Sequence, residues 1–266
     1  MSEELNFPTS ASESEPAYDP RGEKPLPIGE RIGADRRHTG KGIVAAFLDS
    51  GFYAHPDLTT PKSRIRAYFD LLNNRSGPEL LRDTSDPSVW HGMMSTVIAA
   101  GNGALSQGHF RSLAPDLELV LVKVGKLSRI LHDNIARGIA WVIEHKDRYG
   151  IRILNISCGG DFEASYLNDV LSRLAEDAVR SGIVVVAAAG NRGDRPGYVL
   201  PPASVPAVIT VGGLDDAGNP RLGAPSLYRS SYGPTIDGLQ KPEVITLADW
   251  IAAPILPRTP TAKQAR

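Results

Sequence analysis

Three polar residues of this chain stand where acid–base and oxyanion chemistry is often placed, at the ends of predicted regular elements. Asp49 follows the apolar run at 43–48, His91 opens a segment of small and apolar residues that predicts a helix, and Asn191 follows the apolar run at 183–189. A carboxylate can orient an imidazole, an imidazole can move a proton, and an amide can donate a hydrogen bond to an oxyanion. Taken singly, these residues have simpler interpretations as a turn, a helix cap and a Gly-Asn turn.

The position of His91 at the start of its helix carries a further expectation. The positive end of a helix disfavours a cation, so the helix should help to keep the imidazole neutral and able to accept a proton.

A second candidate segment is Ser-Cys-Gly-Gly at residues 157–160, after the apolar run at 151–156. Its glycines would allow another backbone to approach closely, as an edge that captures an extended peptide requires. Cys158 has no base or metal partner nearby in sequence, and we interpret it as a small packed residue.

The elements that must position these residues alternate along the chain. Short apolar runs typical of strands buried on both faces lie at 43–48, 117–124, 151–156 and 183–189, with a further strand candidate at 207–213. Between them, apolar residues recur at helical spacing: Leu131, Ile135, Ile139 and Val142/Ile143, then Leu167, Val170/Leu171, Leu174 and Ala178, before a stop at Gly182. This alternation predicts an α/β fold, a mostly parallel sheet with helices on both faces. Ligands bind at the carboxyl ends of the strands in such sheets.

Composition limits the class of protein. Of 266 residues, 41% are hydrophobic and 22% charged, and the formal net charge is −1, so neither a nucleic acid nor an anionic membrane is indicated as a partner. The single cysteine excludes an intrachain disulfide. We predict a disordered or loosely attached arm at 1–27 and one domain at 28–266. The arm shows no signal-peptide pattern and no apolar run approaches the length of a membrane span, which predicts a cytoplasmic protein.

Seven segments, in order, make the chain resemble the subtilisin-like serine peptidases, the subtilases. The first three resemble the family's aspartate motif, its histidine motif and the strand that follows, and lie at 40–58, 91–100 and 113–124. The others resemble the substrate-backbone wall, the oxyanion segment and two later landmarks, at 155–160, 185–191, 202–212 and 241–254. Met93 stands where the family usually has threonine. The resemblance covers roughly residues 27 to 256 and implies a three-layer subtilisin-like fold.

The resemblance also implies roles. Asp49 would orient His91, His91 would act as general base and then general acid, and Asn191 would help to stabilise the oxyanion. An extended peptide or protein substrate would contact Ser157, Cys158, Gly159, Gly160, Ala188, Ala189, Gly190 and Arg192. Arg192, beside the first specificity pocket, would favour acidic or polar groups.

The family's nucleophile is missing from this pattern. Its serine follows a Gly-Thr-Ser motif, which occurs nowhere in the chain, and there is no Gly-x-Ser-x-Gly elbow to replace it. We therefore expect a fold that is incomplete at its C-terminus and a chain that is inactive alone, because an Asp and a His without a nucleophile cannot transfer an acyl group. A missing C-terminal segment or a separate subunit would supply the serine. That segment should also carry a helix, and without this helix the apolar faces that it would cover are left open to water.

No cofactor is expected. Asp57 could correspond to one ligand of the family's calcium site, but the loop at 101–111 offers no convincing set of further oxygen ligands, so we predict no metal. Two other functions stay open. One is a peptide-binding module without catalysis. The other, a dinucleotide-binding domain, is disfavoured because the glycines at 40 and 42 precede the strand.

Overall fold

The computed structural model describes residues 26–126, 129–217 and 225–264. Of the predicted arm, residues 1–25 lie outside the described residues. Residues 26 and 27 are described, and Pro27 is buried directly before the first helix. The arm therefore stays a prediction.

One sheet organises the described residues. Its strands are β1 (Val44–Asp49), β2 (Ile65–Asp70), β3 (Arg75–Ser76), β4 (Glu118–Lys123), β5 (Ile151–Ile156), β6 (Val184–Ala188), β7 (Ile209–Asp215), β8 (Ser226–Leu227) and β9 (Val244–Leu247). They follow the order β3-β2-β4-β1-β5-β6-β7-β8, and β9 pairs with β7. Only β3 and β8 pair in antiparallel fashion. The mostly parallel sheet predicted from the alternating pattern is confirmed, and β1 lies near its middle.

Helices cover both faces of this sheet. They are α1 (Ile28–Arg31), α2 (Pro56–Thr59), α3 (Val89–Ala100), α4 (His132–Tyr149), α5 (Val170–Arg180) and α6 (Pro260–Gln264), with 3-10 turns at Pro78–Arg82 and Ala104–Ser106. No helix of the described ranges is both long and apolar enough to cross a bilayer.

The central strand β1 shows why the fold has three layers. All six of its residues are buried, and successive side chains point to opposite faces. Phe47 belongs to the core that contains Met93 of α3, whereas Leu48 belongs to the core that contains Ile139 of α4. A strand that is apolar at every position therefore requires a helical layer on each side.

Two details differ from the sequence prediction. Leu167 was placed on the buried stripe of a helix, but it is 64% exposed, and Val170 is 54% exposed. The reason is that α5 starts later: Asp169 caps it by accepting a hydrogen bond from the Ser172 N–H at 2.7 Å, so Leu167 lies outside the helix. Further along, Leu171 and Ala178 are buried as predicted.

The run at 183–189 was predicted to be buried on both faces, and this was wrong. In β6, Val185 and Ala187 are buried, but Val184 is 48% exposed. The register of β6, β7 and β9 places further apolar side chains on the same side of the sheet. We call this surface the open face, formed by Val184, Val186, Ala188, Ile209, Val211 and Val244.

Candidate active site

Asp49 ends β1 and is only 1% exposed. Its Oδ1 accepts a hydrogen bond from the Ser50 N–H at 2.6 Å and lies 3.1 Å from the Ser50 hydroxyl. That hydroxyl also lies 2.9 Å from the carbonyl oxygen of Ser88, just before α3. Ser50 therefore links the carboxylate to the helix that carries the histidine.

His91 is the third residue of α3, and its Nδ1 lies 2.7 Å from Asp49 Oδ1. The side chain is 23% exposed, whereas that of Asp49 is almost fully buried. Among the described residues, His91 Nε2 makes no hydrogen bond. With the Nδ1–H donated to Asp49, Nε2 carries a free lone pair.

The pKa of His91 depends on opposing effects. Burial of the ring opposes its cation, but the hydrogen bond and the negative charge of Asp49 outweigh burial and raise the pKa of His91 above 6.5. The helix end acts in the opposite sense to Asp49, and its contribution to keeping the imidazole neutral stays a prediction.

Packing explains why a glycine, Gly92, follows His91. A Cβ on Gly92 would lie 2.1 Å from the carbonyl oxygen of Gly51 and 2.8 Å from Phe52 Cδ1. These distances are too short for any side chain, so only glycine lets α3 approach the segment after β1 closely enough for His91 to reach Asp49.

A serine on α3 completes the surroundings of the carboxylate. The Ser95 hydroxyl lies 3.0 Å from the carbonyl oxygen of His91 and 3.4 Å from Asp49 Oδ2. Sequence reasoning did not select Ser95 as a site residue. Its signal is that residues four apart lie on one face of a helix, so Ser95 must lie on the face of His91.

A second link that we missed holds the start of α3. The Lys123 ammonium at the end of β4 lies 3.0 Å from Asp86 Oδ2, and Asp86 Oδ1 accepts a hydrogen bond from the Ser88 N–H. Lys123 pairs in register with Asp49 in the sheet. The available signal was a lone lysine at the end of a buried apolar strand, because such a charge requires a partner.

Asn191 and the residues before it line a cavity of about 380 Å³ at the carboxyl ends of β5, β6 and β7. Its lining includes five of the predicted site residues, namely Ser157, Ala188, Ala189, Gly190 and Asn191. The open face contributes Val186, Ala188 and Val211. Since β6 is separated from β1 only by β5, the cavity opens on the same edge of the sheet as Asp49.

The other residues of the predicted substrate wall differ in their surroundings. Gly160 donates its N–H to the carbonyl oxygen of Pro201 at 2.7 Å, and Gly159 is exposed. A Cβ on Gly160 would lie 2.4 Å from His132 Nδ1. The Cys158 thiol lies 4.0 Å from the carbonyl oxygen of Leu48, and burial, with the charge of Asp49, raises its pKa well above the ordinary value.

His132 is part of a second acid–histidine pair that sequence reasoning missed. Its Nε2 lies 2.7 Å from Asp169 Oδ1, and both side chains are buried. Phe162 stacks on the imidazole with ring centroids 4.5 Å apart. The imidazole of this pair therefore occupies the space that a side chain at Gly160 would need.

Asp57, the residue considered as a calcium ligand, is already engaged by the protein backbone. Asp57 is buried, and its Oδ1 accepts a hydrogen bond from the Leu105 N–H at 2.9 Å, so this carboxylate serves the loop backbone. Within the described ranges, no group of three or more His, Cys, Asp or Glu side chains could hold a metal ion. The absence of a metal stays a prediction.

The comparisons with known proteins show the family of this chain. Residues 40–261 match the model of the subtilase family, peptidase S8, so the chain belongs to the subtilase family of serine peptidases. The serine protease AprX of Bacillus subtilis (strain 168) is 34% identical over 215 residues, which cover 78% of this chain and 46% of AprX. The chain thus spans about half the length of that relative.

Two solved structures support the fold. The CspB protease of Clostridium perfringens has a TM-score of 0.71 at 15% identity, covering 88% of this chain and 81% of that one. Sphericase has a TM-score of 0.60 at 25% identity, covering 79% and 67%. At 15% identity the likeness to CspB concerns the fold alone, and it confirms the predicted three-layer subtilisin-like architecture.

Proposed function

We propose that this chain carries the acid–base part of a subtilisin-type serine endopeptidase, whose Asp-His-Ser triad takes its serine from outside these 266 residues. The observation that carries the proposal is the 2.7 Å contact between Asp49 Oδ1 and His91 Nδ1, in a pair whose Nε2 stays unengaged among the described residues.

In this mechanism His91 Nε2 accepts the proton of the serine hydroxyl as the serine attacks the peptide carbonyl, and then delivers it to the leaving amine. Asp49 holds the Nδ1–H and stabilises the imidazolium that forms. The Asn191 amide donates a hydrogen bond to the oxyanion of the tetrahedral intermediate. Each role requires a group at the carboxyl edge of the sheet, where all three residues stand.

The open face supports a position for the missing serine. Its six apolar side chains are exposed or partly exposed together, and three of them line the cavity beside Asn191, as is typical of a surface that another element covers. A helix that packs on this face with a serine at its start would bury those side chains and bring the hydroxyl to the cavity.

The substrate is an extended peptide or protein. We assign its backbone to the segment Ser157–Cys158–Gly159–Gly160 and the side chain before the scissile bond to the walls formed by Ala188, Ala189 and Gly190. The N–H of Gly160 is engaged by Pro201, so the carbonyl oxygens and the exposed Gly159 must form the substrate contacts.

The test is to join the chain to a carboxyl-terminal segment of a subtilase that carries Gly-Thr-Ser and the following helix. The fusion should hydrolyse casein and react with a fluorophosphonate probe, whereas the chain alone should do neither. His91→Ala in the fusion should abolish both reactions. Asn191→Ala should reduce kcat by about 10²–10³, which is the loss known for the oxyanion amide of subtilisin itself.

A folded fusion that neither hydrolyses casein nor reacts with the probe would refute the proposal. If that inactive fusion still binds extended peptides, with the same affinity after His91→Ala, the chain is a peptide-binding module instead.

A further inference from the structure

Two arginines in the loop after Asn191 share a single tyrosine ring. The guanidinium carbon of Arg192 lies 4.5 Å from the centroid of the Tyr198 ring, and that of Arg195 lies 5.5 Å from it. Both arginines are exposed, and Tyr198 is half-buried. The ring attracts both cations and restricts side chains that would otherwise sample many rotamers.

The backbone of this loop is fixed to a neighbouring segment. The Arg192 N–H donates to the Ser231 hydroxyl at 3.0 Å, and the Gly197 N–H donates to the carbonyl oxygen of Tyr232 at 2.9 Å. Both ends of the loop therefore have a defined position relative to Asn191. The two guanidinium groups are presented by a held loop, next to the candidate oxyanion residue.

Neither guanidinium has a carboxylate partner within the described ranges. Arg31, Arg66 and Arg180, in contrast, each form an ion pair with an aspartate or glutamate. Glu163 lines a cavity of about 390 Å³ together with Arg195 and Tyr198, yet it forms no ion pair with either arginine. Two positive charges therefore lie against one ring without an ion-pair partner among the described residues, an arrangement that a bound anion would stabilise.

We propose that Arg192 and Arg195, held on Tyr198, form a subsite for an acidic side chain of the substrate close to the scissile bond. This inference rests on the proposed function, because only a peptidase would cleave the bound peptide as a substrate. The subsite itself requires only that a peptide binds. Guanidinium groups match the planar carboxylate of Asp or Glu with paired hydrogen bonds, which an amide of equal shape cannot replace. The subsite thus selects peptides by charge.

The first experiment uses the 266-residue chain and needs no catalysis. Binding of fluorescent peptides that differ only by Glu or Gln, at each of the four positions around a central bond, is measured by polarisation. At one position the Glu peptide should bind about tenfold more tightly, a difference typical of a charge-assisted hydrogen bond. The preference should vanish in the double variant Arg192→Gln/Arg195→Gln and shrink in 0.5 M NaCl.

The control is Arg173→Gln on the exposed surface of α5, which lowers the net charge without touching the loop and should leave the preference intact.

Equal or absent binding of all Glu and Gln peptides overturns the subsite, as does a preference that survives in the double variant. In the active fusion, the ratio of kcat/KM for the Glu and Gln peptides should follow the same pattern. A fusion that hydrolyses both peptides equally overturns the subsite but leaves the proposed function intact. Charge-selective binding by a fusion that hydrolyses neither peptide supports the subsite and overturns the proposed function.

Discussion

Asp49 Oδ1 and His91 Nδ1 lie 2.7 Å apart although 42 positions separate the two residues in the chain. The contact depends on a strand that ends at Asp49, on a helix that begins at Val89, and on Gly92, which lets these elements touch. It is the feature of the molecule on which the proposed chemistry depends.

The Asp49–His91 contact predicts a specific pH dependence. In Asp49→Asn the pKa of His91 should fall below 6.5, because burial of the ring remains while the favourable charge is lost. A raised pKa in the folded protein gives stability that is fully present below the pKa of the unfolded chain and is lost as the pH rises through the folded pKa. The wild-type chain should therefore lose stability as the pH rises above 6.5, whereas Asp49→Asn should instead gain stability as the pH rises towards 6.5 from below.

Histidine titration by NMR measures the pKa of His91, and urea unfolding below and above pH 6.5 measures the change in stability. Asp169→Asn removes the carboxylate partner of the other buried histidine pair and serves as the control, since it should leave the pKa of His91 unchanged. An unchanged pKa of His91 in Asp49→Asn would show that the contact is not formed in solution.

Ser95 should act as a positioning residue for Asp49. In Ser95→Ala, Asp49 Oδ2 loses the donor on α3, so the carboxylate can rotate and the downfield NMR signal of the His91 Nδ1–H should move upfield. We expect the free energy of unfolding to fall by about 1–3 kcal/mol, the usual cost of a buried acceptor without its donor.

Ser95→Thr keeps the hydroxyl and should restore the signal. Ser181→Ala also removes a serine hydroxyl that bonds back to its own helix, but far from the site, and should not move the signal. The same signal position in Ser95→Ala and wild type would assign Ser95 to helix packing only.

Gly92 should tolerate no side chain. In Gly92→Ala the new methyl group would lie 2.1 Å from the backbone oxygen of Gly51, so α3 must move away from β1. We expect a loss of about 1–3 kcal/mol in urea unfolding, as is typical of overpacking, together with loss of the His91 Nδ1–H signal. Gly29→Ala, whose Cβ would have no neighbour nearer than 3.8 Å, is the control.

Normal stability of Gly92→Ala with an intact His91 signal would contradict this account of the His-Gly sequence.

The open face predicts opposite outcomes for two adjacent valines. Val184 is 48% exposed and Val185 only 1%. Val184→Ser should therefore barely change the stability of the chain and should reduce its binding of a hydrophobic dye. Val185→Ser should cost about 2–5 kcal/mol, because it removes packed methyl groups and buries a hydroxyl.

In the active fusion the expected effect of Val184→Ser is larger, since a helix on the open face would bury Val184. There Val184→Ser should also lower thermal stability. If Val184→Ser has the same small effect in the chain and in the fusion, the serine-bearing helix does not pack on this face.

The amino-acid sequence by itself indicated the strands β1, β4, β5, β6 and β7, the helices α3, α4 and α5, the parallel sheet and the candidate residues at its edge, but not β2, β3, β8 or β9. These features follow from short-range patterns, since an apolar run bounded by turn residues specifies a buried strand wherever it folds. Local pattern failed where a boundary depended on a cap, as at Asp169, or where burial depended on a distant partner, as at Val184.

Only the tertiary structure decided which of these residues meet. The contact of His91 with Asp49, the pairing of Lys123 with Asp86 and the stacking of two arginines on Tyr198 each depend on strand order and packing depth. Those quantities depend on contacts between residues far apart in sequence, which no local pattern encodes. The sequence thus supplied the chemical groups, and the three-dimensional packing set their geometry.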